Sequence, residues 1–235
     1  MIKSWSYSSL LLFEKCPYAA KLKHVDKIPE PQNKYSSRGT DIHAAAEAFV
    51  KSETPALDEA LTPFKAEFGA VRELYSSGKV LVEEEWAHDS EWNMSNWRDK
   101  DTWCRLKLDF FIKMDNITGL VVDLKSGKKY GNEIKHAEQG QLYAGIAFLR
   151  NPELQRIITE FWYVDQDDLT QVVYTPQQAG KFLAGFDRRA RRMTSIKEFK
   201  PNPSIFTCKW CPYRPEAAGG GGQCKFGVNT LVKRK

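Results

Sequence analysis

The chain has 235 residues and a net charge of +5, with 42% hydrophobic and 12% aromatic residues, enough for one substantial core; residues 1–235 are expected to form a single domain. No apolar run approaches the ~18 residues of a membrane span, and Ile2, Lys3, Ser4 and Trp5 after Met1 lack the apolar stretch of a secretory signal, so a cytoplasmic chain, bacterial, archaeal or viral in a host cytoplasm, is expected. Five cysteines, an odd number, do not suit a disulfide framework in that compartment and suit metal ligation better.

Along the chain, Ser6 to Lys23 sets Leu10, Leu12, Phe13 and Cys16 at helical spacings behind a Ser8 or Ser9 cap. Pro17 kinks or ends the first stretch, which leaves Cys16 at a helix end. Ile28 to Ser37, with its prolines, reads as a surface connection, and alanine-rich Gly39 to Lys51 as a helix carrying His43 in its first turns. Leu57, Leu61, Phe64, Phe68 and Val71 mark a second amphipathic helix ending near Ser76 to Gly78. The period then changes. Val80 to Trp86, Trp103 to Met114, Gly119 to Leu124, Ile157 to Val164 and Gln171 to Thr175 read as strands, with a loop from His88 to Asp101. The middle three are expected to form a meander, turning first at Asp115 and Asn116. Helices are expected from His136 to Leu149 and from about Pro176 to Arg192, which gives an α/β fold with a central mixed β-sheet flanked by helices.

Two carboxylates fall in or at the end of apolar strands: Asp109 after Arg105, Leu106, Lys107 and Leu108, and Asp123 after Leu120, Val121 and Val122. An unpaired carboxylate there is costly to desolvate, and Mg²⁺ or Mn²⁺ would compensate both. Period-2 geometry puts Asp123 and Lys125 on one face, where they could serve a metal and a phosphate or simply pair with each other. His43 alone reads more readily as a polar core or surface residue of its helix than as a ligand. Gln139 and Tyr143, four apart, share a helix face. Basic residues cluster at Lys128 and Lys129, at Arg188, Arg189, Arg191 and Arg192, and at Lys233, Arg234 and Lys235, either as solvated faces or as contacts to a polyanion. Four cysteines divide between the ends, Cys16 against Cys208, Cys211 and Cys224, so a metal centre using all four would staple the N-terminal helix to the C-terminal segment; Cys104 reads as a buried bystander.

The ordered set, Gly39-x-x-x-His43, Asp109, Asp123-x-Lys125 and Gln139-x-x-x-Tyr143, resembles the RecB-like branch of the PD-(D/E)XK nuclease superfamily. Ser6 to Leu10 with Phe13 and Cys16-Pro17, and Cys208-Lys209-Trp210-Cys211-Pro212-Tyr213 with Cys224, resemble the opening and closing segments of its iron–sulfur members, the AddB nuclease domain and the CRISPR adaptation nucleases. The resemblance runs from Ser6 to Cys224. It implies a restriction-endonuclease-like core whose termini, helix 6–23 and segment 205–226, are joined by a [4Fe-4S] cluster on Cys16, Cys208, Cys211 and Cys224. It further implies a catalytic Mg²⁺ or Mn²⁺ on His43, Asp109, Asp123 and the main-chain carbonyl of Leu124. Lys125 would activate water, and Gln139 with Tyr143 would contact DNA or support Lys125. The implied activity is exonucleolytic hydrolysis from DNA ends or single strands, in recombination, repair or spacer processing, beside a helicase, recombinase or CRISPR adaptation partner. From the residues alone the four thiolates also fit zinc. A non-catalytic DNA-binding module and a zinc-stapled interaction protein are the alternative readings.

Overall fold

A computed structural model of the chain describes residues 1–30, 34–216 and 219–228. The basic triplet Lys233, Arg234 and Lys235 lies outside the described residues. The chain divides into two compact units, Met1–Asn33 with Asp187–Lys235, and Lys34–Phe186.

The larger unit, Lys34–Phe186, begins with helix α3 (Lys34–Val50), which starts inside the stretch expected to be a connection. A 3-10 turn (Glu59–Phe64) precedes α4 (Lys65–Ser76). The single helix expected from Leu57 breaks there because Pro63 has no N–H to donate to an α-helical ladder. Six strands follow in the spatial order β2-β1-β3-β4-β5-β6: β1 (Val80–His88), β2 (Met94–Ser95), β3 (Cys104–Lys113), β4 (Thr118–Lys125), β5 (Arg156–Tyr163) and β6 (Asp168–Tyr174). β1, β3 and β4 run antiparallel, whereas β4 and β5 are parallel. The expected meander of the middle three strands is thus corrected. α5 (Glu133–Arg150) connects β4 to β5 as a helical crossover, and a crossover returns the chain in the same direction. The two-residue β2 lies in the expected loop, where Asp89 accepts the Asn93 N–H and side-chain amide, both at 2.9 Å, and folds the segment back on β1. The last element, α6 (Pro176–Ser195), belongs to this unit as far as Phe186.

One parity of the sheet is apolar and packs on α3 and α4: Val80, Val82, Phe110, Ile112, Val122, Leu124 and Trp162 meet Ile42, Ala46, Val50, Phe64, Phe68 and Val71. Trp162 stacks on Phe64 at 5.1 Å and meets Phe68 edge-on at 5.3 Å. Each such side chain contributes about 1.5–3 kcal/mol by leaving water. Asp123, of the opposite parity, is met by Gln139 and Tyr143 of α5. That helix lies close to β5 because Gly140 has no side chain: a Cβ there would stand 2.9 Å from Thr159 Oγ1 and 3.3 Å from the Phe161 ring.

The other unit holds α1 (Tyr7–Lys15), α2 (Pro17–His24) and α7 (Ile205–Cys208). The cap of α1 is Ser6, two or three residues before the expected Ser8 or Ser9: Ser6 Oγ accepts the Ser9 N–H at 3.4 Å, and Ser9 Oγ accepts the Ser6 N–H at 2.8 Å. Cys16 interrupts the two helices in extended backbone (φ −159°, ψ 104°), as the Pro17 that follows requires. Tyr213 is fully buried with Ala19 and Leu22, and its hydroxyl donates to Ile28 O at 3.1 Å.

Candidate functional site

The register of the larger unit's sheet brings three carboxylates into one row. β1 and β3 pair at Val82↔Phe110 and again at Glu84↔Leu108, so Glu83 and Asp109 face each other where ladder pairing lapses. β3 and β4 pair as far as Phe110↔Val122, so Asp109 next faces Asp123. Glu83 sits at φ +54°, a left-handed conformation that costs a non-glycine residue about 1–3 kcal/mol, inside an otherwise regular strand. Like charges in opposing positions add to that cost. Both Asp109 and Asp123 are buried, at 8% and 5% exposure.

Two groups of partners divide the row. His43 Nδ1, from α3, lies 2.8 Å from Asp109 Oδ1 and 3.9 Å from Glu83 Oε1, while Asp109 Oδ2 accepts the Leu124 N–H at 2.7 Å. Lys107 pairs with the other Glu83 oxygen. Asp123 Oδ1 accepts the Tyr143 hydroxyl at 2.5 Å and the Gln139 amide at 3.2 Å, and Gln139 Oε1 accepts from Lys125 Nζ at 3.0 Å. Lys125 Nζ also stands 2.5 Å from Asp123 Oδ2 as an ion pair, yet that buried oxygen accepts no directed hydrogen bond, so it retains lone-pair capacity.

Burial, reinforced by the Asp123 charge, raises the Asp109 carboxyl above the usual range, against the hydrogen bonds from His43 and Leu124. Burial pulls His43 down, but the hydrogen bond and charge of Asp109, with Asp123 and Glu83, outweigh it and the net shift is upward. Burial and the two aspartates push the Tyr143 phenol well above its ordinary value, so it stays protonated and donates. A cation beside Asp109 would offset the burial and the Asp123 charge that raise its carboxyl.

The family model of the PD-(D/E)XK nuclease superfamily matches residues 4–215. The chain belongs to that superfamily. Among solved structures, SSO0001 is 16% identical with a TM-score of 0.44, covering 91% of this chain and 84% of that one. A candidate exonuclease from Eubacterium rectale is 12% identical (TM-score 0.48, coverage 85% and 84%), and an alkaline exonuclease from Laribacter hongkongensis is 9% identical (TM-score 0.27, coverage 82% and 92%). No curated protein matches the sequence.

Nucleases of this superfamily use divalent metals, and the donors here fit one. Among the described residues, His43, Glu83 and Asp109 offer ligand atoms within 4.8 Å of one another. The two carboxylates suit Mg²⁺ or Mn²⁺, and the imidazole is tolerated better by Mn²⁺ than by Mg²⁺. This trio takes Glu83 where the sequence pointed to Asp123 and the Leu124 carbonyl; Asp123 lies next in the row and is engaged by α5. Glu83 has no sequence signal because it stands in a run of three glutamates, Glu83 to Glu85, that reads as a solvated strand, and nothing in the run marks a positive φ.

The basic residues behave individually. Lys129 is held by both Asp168 oxygens at 2.9 Å, Arg189 by Glu14 at 2.7 Å and Arg191 by Asp187 at 2.9 Å. Lys128, Arg188 and Arg192 are exposed. Separately, in the unit built from the chain ends, Cys16, Cys208, Cys211 and Cys224 line one cavity with Ala19, Leu22 and Phe226. Cys16 Sγ accepts the Asn202 N–H at 3.4 Å. Burial pushes the Cys211 thiol up, and the other three sulfurs add to it. Cys104 is buried in β3 with its thiol pushed far up by burial, outside this group.

Proposed function

We propose that this nuclease is a divalent-metal-dependent deoxyribonuclease that hydrolyses phosphodiester bonds from DNA ends or single strands. The observation that carries the reading is the row Glu83, Asp109 and Asp123, with Lys125 two residues beyond and His43 facing it. His43, Glu83, Asp109 and Asp123, with the Leu124 carbonyl, would hold the cation. When bound, a divalent ion there supplies Lewis acidity toward a phosphoryl oxygen and lowers the pKa of water. Lys125 sets its ammonium against the negative charge that develops at phosphorus, in a site with little water to screen it. Gln139 fixes that ammonium, and Tyr143 fixes Asp123, so both arrive in position without reorganisation. Lys128, Arg188 and Arg192 are the cations proposed to meet the DNA backbone.

The four cysteines are proposed to hold a structural [4Fe-4S] cluster. The convergence of the four thiols on one cavity supports that reading, and the Asn202 N–H directed at Cys16 is the kind of bond that tunes such centres.

The test is cleavage of an end-labelled oligonucleotide with and without Mn²⁺. Asp123→Asn and Lys125→Ala should each lower the rate by about 10²-fold or more, as loss of a charge-stabilising group does, while the far-ultraviolet circular dichroism stays the same. Undiminished cleavage in both variants would sink the assignment.

A further inference from the structure

The stretch from Ser126 to Lys135 leaves β4 directly after Lys125 and returns on α5 towards Gln139, whose side chain meets the Lys125 ammonium at 3.0 Å. It is tied down along its length. Arg38 Nη1 donates to Ser126 O at 3.4 Å, and the Lys129 N–H donates to Gln166 Oε1 at 2.6 Å. Lys129 Nζ holds both Asp168 oxygens, and Asn132 Nδ2 donates to Lys128 O at 2.8 Å. Gly131, at φ +86°, makes the turn between them.

From this braced loop two large side chains face water, Tyr130 at 74% and Ile134 at 85% exposure. Neither side chain is taken up by the core, so both surfaces are open to a ligand. Lys128 and Lys135 are exposed beside them. Lys135 stands four residues before Gln139 and eight before Tyr143, on the helix face those two present to the carboxylates.

We propose that Tyr130 and Ile134 form a stacking surface for an unpaired nucleobase next to the scissile phosphate, with Lys128 and Lys135 meeting the flanking phosphates. The chemistry is that of single-strand binding, in which aromatic faces take bases and ammonium groups track the backbone. A paired, internal base keeps both faces covered by its neighbours. The surface therefore selects a single strand or a frayed end. Because the loop is already anchored, holding the strand costs little additional ordering. The inference rests on the nuclease reading and adds to it the residues that would select an unpaired strand.

Fluorescence anisotropy in the slowly cleaving Asp123→Asn background, without added divalent metal, tests it with three probes: a labelled oligothymidylate, the same strand made abasic, and a blunt duplex. Tyr130→Ala should weaken the oligothymidylate about tenfold, the range of one lost base–aromatic stack, and leave the abasic strand unchanged; Tyr130→Phe should behave as the parent. The side chain is solvent-exposed, so its truncation leaves the fold intact, which circular dichroism checks. Unchanged affinity in Tyr130→Ala, or an equal loss on the abasic strand, overturns the stacking surface while leaving the nuclease reading in place. A parent protein that binds none of the three probes overturns both.

Discussion

Glu83 is the residue at which chemistry and conformation conflict most directly. Its φ of +54° is a position that glycine would occupy without strain, yet a carboxylate stands there, 3.9 Å from His43 Nδ1. Glu83→Gly and Glu83→Ala remove the same charge, but only the first removes the strain. The glycine variant should be the more stable of the two by about 1 kcal/mol, and both should need more Mn²⁺ for half-maximal cleavage. Equal melting temperatures would contradict the strain, and unchanged metal dependence would contradict the ligand role. The contacts among Asp123, Lys125, Gln139 and Tyr143 join residues that the sequence picks out, with Asp109, by order and spacing. Glu83 is not picked out, because a backbone dihedral has no signature among three consecutive glutamates. His136 is a second residue with a measurable consequence. It is buried, its Nδ1 lies 2.7 Å from the Tyr163 hydroxyl, and burial with the Lys125 charge lowers it to about 4 from the ordinary 6.5. Between those values the unfolded chain binds the proton and the folded one does not. The contribution is thus complete above about pH 6.5 and is lost as the pH falls towards 4, by about 2–3 kcal/mol. Denaturant titrations from pH 7 to 4 should show that fall in the parent and a flatter profile in His136→Gln; parallel profiles would refute it.

Among the elements, α5 does the most to set the site, since it carries Gln139 and Tyr143 and closes on the sheet through Gly140. Intrinsic helix preference favours alanine over glycine by about 1 kcal/mol. At Gly140 the contact at 2.9 Å with Thr159 reverses that preference. Gly140→Ala should destabilise by about 1–3 kcal/mol, as overpacking does, and should lower kcat by displacing Gln139 and Tyr143. Gly180 is the internal control: on exposed α6 a Cβ meets nothing within 4 Å, so Gly180→Ala should stabilise by about 0.5–1 kcal/mol with activity unchanged. Thermal melts and steady-state rates on the two variants decide both. Five of the six strands were readable from β-branched and aromatic runs. β2 was not, because two residues carry no period, and the direction of β5 became clear only when α5 was recognised as a crossover.

At the scale of the whole molecule, the residues that bring the thiols together come from both ends of the chain, and Cys16 with Cys208, Cys211 and Cys224 was legible as such a convergence. The division into two compact units was not, because no linker of biased composition marks residue 34 or residue 187. If a cluster holds the end-built unit, Cys16→Ser should bleach the protein and expose the amides of α1, α2 and α7 to hydrogen exchange. The amides of β3, β4 and β5 should keep their protection, since their stability rests on the apolar core of the larger unit. A colourless variant with full protection throughout would refute the structural role.

Cys16 and the Asn202 amide that reaches it are 186 residues apart in sequence. At ribosomal speeds of about 5–20 residues per second, Cys16 leaves the tunnel roughly 10–40 s before the segment that meets it. Throughout that interval its thiol waits without its companions. The thiols can therefore assemble only after the whole of the larger unit, which lies between them in sequence, has been made.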